Sequence, residues 1–285
     1  MSLHRLWEAL LQPGSATDFF VAPLPSDLDV EAPAYSASNA WWLAEISRLV
    51  YVGGAETRRR LLEAAKLEEV AFIDQTRAQC SIVKPVGPGD PRFVVLVFRG
   101  SHDLRDWLTN AETWPVPWPP APGLVHDGFR DAFNSVVDEM DRVLAGFPCP
   151  AFYTGHSLGA ALATLAAHHR RPQAVYTFGS PRVGDADFLA AFAGIPVYRV
   201  VNSRDVVATL PPAHLGGYSH VGELHYMTRD GRTLLDPADE LTDQHRPFVF
   251  HPRWWDELHL LAEPPEEMAD HAPIHYVTRL RAALH

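Results

Sequence analysis

AFYTGHSLGAALATLAAHH, residues 151–169, changes periodicity across five positions. Ala151 to Thr154 is short, apolar and aromatic, as a buried strand is, whereas Ser157 to His169 is alanine-rich and of helical length. Between them stands Gly155-His156-Ser157-Leu158-Gly159, a G-x-S-x-G pentapeptide. A serine on a strand-to-helix turn must adopt a tight, strained backbone, and its flanking glycines lack the Cβ that would strike the neighbouring elements. Ala160, Ala161 and Ala163 allow the helix close to a sheet, and the helix N-terminus favours negative charge beside the serine.

Working outward, Phe93 to Phe98 is continuous, β-branched and aromatic, which predicts a central strand buried on both faces. Downstream, strands are expected at Ala174 to Phe178 and Val197 to Val201, and helices at Phe129 to Leu144 and Asp185 to Ala193. Strands alternating with helices of this length imply right-handed crossovers, hence an α/β fold with a predominantly parallel sheet covered by helices on both faces. Upstream, residues 1–38 read as an irregular surface arm. A helix is expected from Asn39 to Val52, stopped at Gly53-Gly54, and another from Ala55 to Leu67. Two β-like runs follow, Val70 to Asp74 and Ala78 to Lys84, before the turn-rich Gly87 to Pro91. No repeat or linker divides residues 1–285, so a single domain is expected, with Pro115 to Pro122 a rigid loop inside it.

The chain has 285 residues, 47% of them apolar, and 24 basic against 35 acidic residues give a net charge of −11. Disorder is excluded as a whole-chain description. The acidic balance argues against nucleic-acid binding, which needs a basic surface; the run Arg58 to Arg60, followed by Glu63, Glu68 and Glu69, reads as a solvated helix face. No stretch approaches the roughly 20 apolar residues of a membrane span. The first residues, with Glu8 inside a short apolar stretch that stops at Pro13-Gly14, lack the core of a secretion signal, so a cytoplasmic location is expected. Cys80 and Cys149 alone make no disulfide framework. No metal is expected either: there is no HExxH or paired Cys/His set, and adjacent His168 and His169 cannot face one ion from a helix.

A serine hydroxyl becomes a useful nucleophile only with a base in hydrogen-bond reach and an acid orienting that base. In G-x-S-x-G enzymes these follow in the order Ser, Asp, His. Asp205, in VVNSRDVVATLPP after the strand ending at Val201, sits where catalytic groups collect, at the carboxyl end of a strand. Its rivals Asp185 and Asp187 look like helix-start acids. Among the histidines after Asp205, His271 in MADHAPIHYVTRL precedes an amphipathic segment whose loop can carry it over the sheet; His275 is the immediate alternative. Oxyanion donors are expected from the backbone N–H of Leu158 and from Ser101, which leaves the strand ending at Phe98; a turn or helix-cap serine is the plainer reading of Ser101.

Taken together, VLVFRGS (95–101), DWLTN (106–110), VHDGFRDAF (125–133), TGHSLGAALA (154–163), TFGSPRVGD (177–185), RVVNSRDVVATLPP (199–212), YSHVGE (218–223) and DHAPIHY (270–276) resemble the class 3, fungal-type triacylglycerol lipase family. The resemblance runs in family order over about residues 35 to 280, with Ser101 in place of the more usual Thr and Ala160 in place of a second Gly. It implies the α/β-hydrolase fold, Ser157 as nucleophile, Asp205 as orienting acid, His271 as base, and Ser101 with Leu158 as the oxyanion hole. It also implies a lid over residues 103–118, where Trp107, Leu108, Trp114 and Trp118 would meet substrate or a lipid interface; a fixed loop with core tryptophans is the plainer reading. The expected activity is therefore hydrolysis of acylglycerols or related carboxylic esters without a cofactor. A phospholipase, a short-chain carboxylesterase and a non-catalytic lipid-binding protein are the alternatives.

Overall fold

The hydrophobic runs become strands for the reason their composition suggests: Val94–Phe98, Ala174–Phe178 and Val197–Asn202 are buried at every position. A strand covered on both faces must be apolar on both, so alternation vanishes. The computed structural model describes residues 7–10, 12–15, 18–101, 114–119, 122–214, 216–238 and 264–284. Among them, eight strands form one sheet, in the order β1 (Leu67–Asp74), β2 (Gln79–Pro85), β3 (Val94–Phe98), β6 (Ala151–His156), β7 (Ala174–Phe178), β8 (Val197–Asn202), β9 (Glu223–Met227) and β10 (Thr233–Leu235). β4 (Pro115–Pro117) and β5 (Leu124–His126) pair separately. The five strands from β3 to β9 run parallel, and the edges are antiparallel. This is the α/β-hydrolase fold.

Side chains alternate between two cores. Val95, Val97, Phe152, Tyr176 and Val200 face the helices Ala37–Leu49 and Pro273–Ala282. Val94, Leu96, Tyr153, Val175 and Val197 face Asp127–Asn134, Val137–Leu144, Leu158–His169 and Ala186–Ala190. Each fully buried Val or Leu contributes about 1.5–3 kcal/mol. Because the central strands are parallel, Phe98, His156, Phe178 and Asn202 all end on one edge, and the loops that leave them share one rim.

Several local expectations change. The helix read over Phe129 to Leu144 is two helices, interrupted at Ser135 and Val136. Leu67 opens β1 rather than closing a helix, and β9 and β10 were not expected at all. The arm up to Ser38 is irregular, but it is not only surface: Phe19, Phe20, Leu28 and Val30 belong to the first core. Arg58 is buried too, bonded to Glu69 at 2.9 Å and stacked 3.8 Å over Phe72, so only Arg59 and Arg60 of that run face solvent.

Candidate active site

Ser157 has φ 60 and ψ −130, a conformation that costs an L-residue energy and persists only where its surroundings impose it. Both flanking glycines show what imposes it. A Cβ on Gly159 would lie 2.2 Å from the Phe98 carbonyl oxygen, and one on Gly155 would lie 2.3 Å from the Gly159 backbone. The serine N–H donates to the Phe178 carbonyl at 3.0 Å, so the turn is tied to β7 while the helix packs over β3. Ala160, Ala161 and Ala163 are fully buried beneath it.

Asp205 stands on the loop after β8, fully buried, and its carboxylate accepts from three elements. Its Oδ1 takes the Val207 N–H at 2.9 Å, and Oδ2 takes the Tyr276 hydroxyl at 2.5 Å. Both oxygens lie against His271 Nδ1, at 2.9 and 2.8 Å. Burial pushes the carboxyl up, but His271 and Tyr276 outweigh it and hold the group below its ordinary range. Asp205 is therefore anionic at neutral pH.

His271 is fixed by its backbone neighbours. Its N–H donates to Met268, the Asp270 carbonyl accepts from Asn202 Nδ2 at 2.8 Å, and Asp270 Oδ2 accepts from the Arg204 N–H at 3.1 Å. With Nδ1 committed to Asp205, Nε2 on the opposite edge of the ring is buried and has no hydrogen-bond partner among the described residues. The rivals lie elsewhere. Asp185 caps a helix through Phe188 N, Asp187 is exposed, and His275 makes no side-chain bond to Asp205.

Three residues of this site carried no assigned role in the sequence. Tyr276 lies five residues after His271, a spacing that puts the two on different faces of a helix start. Tyr51 and His156 join the remaining pieces. His156 Nε2 lies 2.7 Å from the His271 carbonyl, which can only accept, so Nε2 carries the proton and Nδ1 accepts from Tyr51 Oη at 3.0 Å. The Gly100 N–H in turn bonds the Tyr51 hydroxyl. A Cβ on Gly100 would lie 1.9 Å from that oxygen, which is why this position is glycine. A single chain of hydrogen bonds thus runs from the loop carrying Ser101, through the residue before Ser157, to the backbone of His271.

Ser101 and Leu158 line one cavity of about 420 Å³, together with Asp74, Arg77, Gln79 and Arg99. The flap residues divide differently. Trp107 and Leu108 lie outside the described residues. Trp114 is 75% exposed, but Trp118 is a correction: it is 2% exposed, with its indole N–H bonded to His168 Nδ1 at 3.0 Å and its ring against Phe133 and Phe188. Pairing of Pro115–Pro117 with Leu124–His126 fixes the chain beside it, so Trp118 is core and not lid. Among the described residues no group of three or more His, Cys, Asp or Glu could hold a metal ion.

Two buried histidines near this rim are held neutral. Burial brings His156 down to about 3, helped by His271, and brings His126 down to about 4 against the opposing pull of Asp127. The unfolded chain protonates these rings near pH 6.5 and the folded chain does not, so the unfolded state binds more protons below that pH and stability falls with acid. The loss amounts to about 1.4 kcal/mol per pH unit for each ring, between about pH 6.5 and 4. Neither His126 nitrogen has a partner among the described residues, and its ring stacks on Phe129 at 4.3 Å. His126→Phe is therefore expected to flatten the pH dependence by about one ring's share, a change read by denaturant unfolding at pH 5 and 7; an unchanged slope would contradict the assignment.

Residues 95–215 match a family model described as Lipase (class 3). The chain is 40% identical to Rhizomucor miehei lipase over 161 residues, 50% of this chain and 44% of that one. It is 36% identical over 154 residues to the secreted mono- and diacylglycerol lipase 1 of Fusarium solani, 50% and 45% of the two chains. It thus spans about half the length of these curated relatives. A solved fungal lipase–inhibitor complex superposes with a TM-score of 0.56 at 27% identity, over 70% of this chain and 83% of that one.

Proposed function

We propose that this chain is a class 3 lipase-family serine carboxylic-ester hydrolase acting on acylglycerols, with Ser157, His271 and Asp205 as its triad. The pairing of His271 Nδ1 with a buried anionic Asp205 is the observation that supports this reading most directly; the His271 ring lies 4.4 Å from that of His156, the residue before the strained Ser157, and its Nε2 is not bonded to Ser157 in this structure. Ser157 Oγ attacks the ester carbonyl as its proton passes to His271 Nε2. Asp205 holds the ring in the tautomer that leaves Nε2 free and stabilises the imidazolium that forms. The Leu158 N–H and Ser101 receive the oxyanion, aided by the positive end of the helix Leu158–His169. Collapse expels the alcohol, which takes the proton from His271, and water repeats the cycle on the acyl-enzyme. Exposed Trp114, within the segment that the resemblance assigns to a lid, supplies a transient contact with the lipid surface.

A fluorophosphonate tests this reading and separates it from a non-catalytic lipid-binding protein. The expected result is one phosphonyl group per chain on the peptide holding Ser157, and none in Ser157→Ala. Folded protein that stays unlabelled would end the proposal.

A further inference from the structure

Among the described residues, the cavity containing Ser101 and Leu158 does not have the walls an acyl chain would seek. Its far side is the turn between β1 and β2, with Asp74, Gln75, Arg77 and Gln79, closed by Arg99. Two of its charges are already engaged. Gln79 Nε2 donates to Asp74 Oδ1 at 2.6 Å, and Gln79 Oε1 accepts from Arg99 Nη1 at 2.7 Å. Arg77 is exposed on the same turn and makes neither an ion pair nor a hydrogen bond among the described residues.

An ester whose carbonyl sits between Ser101 and Leu158 extends one of its two arms into this space. A hydrocarbon arm would strip water from a carboxylate, two amides and two guanidinium groups and return no hydrogen bonds, which is unfavourable. A polar arm returns them, so this cavity suits the alcohol side. A guanidinium with no partner among the described residues matches a phosphate oxygen in charge and in its forked donor geometry.

We propose that the alcohol arm received here is the phosphate-bearing head of a glycerophospholipid, with Arg77 as the residue that selects it. The proposal rests on the ester-hydrolase reading of Ser157 and extends its substrates from neutral acylglycerols to phospholipids. Neutral acylglycerols would enter the same cavity without engaging Arg77.

The test compares dihexanoylphosphatidylglycerol with tributyrin, both below their aggregation limits. Arg77→Glu is expected to lower the ratio of kcat/KM for phospholipid over tributyrin at least about tenfold, Arg77→Gln by less, and Arg77→Lys least. Molar salt should compress the wild-type preference, because Arg77 is exposed. An unchanged ratio in Arg77→Glu overturns the proposal. So does an equal loss on a digalactosyl diacylglycerol of the same chain length, which would mean that hydroxyls, not phosphate, are read. Calorimetric binding of the phospholipid to Ser157→Ala keeps the question apart from catalysis: weaker binding after Arg77→Glu supports the site even if the ester-hydrolase reading fails, and equal binding removes it.

Discussion

Ser157→Ala is expected to lower ester hydrolysis by on the order of 10⁶-fold in kcat, with the folded state nearly unchanged in stability. The effect on rate is large because no other described hydroxyl occupies the elbow, and without an acyl-enzyme only water can attack the ester. Stability should stay within about 1 kcal/mol. Ser157 Oγ makes no hydrogen bond to a described residue, and Ala carries the same Cβ at φ 60, so the strain is neither relieved nor increased. Residual turnover from Leu158 N–H, Ser101 and binding alone would remain about 10³–10⁴ above water, as in other serine hydrolases lacking a triad member. Rates on a nitrophenyl ester together with a thermal melt check both halves. Near wild-type turnover in a folded Ser157→Ala protein would remove Ser157 from the mechanism.

The parts of this architecture that were legible in the sequence are those where one physical cause dominates. Phe93 to Phe98 reads as a buried strand because burial on both faces leaves no polar position, and the elbow reads as a turn because two glycines at fixed spacing have few other uses. Asp205 was legible from its place after a strand, since parallel strands deliver their loops to one rim. What was hidden depends on contacts between distant segments. Tyr51 and His156 are 105 residues apart, and neither has a local pattern to announce the bond between them. Arg58 looked solvated because its charge run resembles a helix face; its partner Glu69 and the Phe72 ring lie on the next strand and become visible only when β1 folds back. Trp118 was drawn into the flap by proximity in sequence, whereas its indole N–H needs a buried acceptor and finds it on His168. The short strands β9 and β10 failed for a different reason: edge elements have weak periodicity, and pairing with β8 specifies them more than their own residues do.

Asp205→Asn is expected to reduce kcat by about 10⁴-fold, through the proton on the ring rather than through lost binding. The carboxylate accepts from the Val207 N–H, the Tyr276 hydroxyl and His271 Nδ1, so every group around it is a donor. An asparagine has one oxygen and must turn its NH₂ toward one of them. Val207 cannot reverse its backbone donor, and Tyr276 has a second bond, accepting from the Asn202 N–H at 3.2 Å, that limits how far its hydroxyl can rotate. The ring is the group that can exchange roles at least cost: Nδ1 becomes an acceptor and the proton moves to Nε2. That nitrogen then has no lone pair for the Ser157 hydroxyl, and the base is lost while the geometry stays. Two measurements separate this from simple unfolding. KM should change little while kcat collapses, and the residual rate should rise with pH as hydroxide does what Nε2 no longer can. The folded state should lose about 1–3 kcal/mol from the buried mismatch. A variant that keeps wild-type kcat with that stability loss would show that the buried carboxylate serves only packing, and His271 would then need another partner.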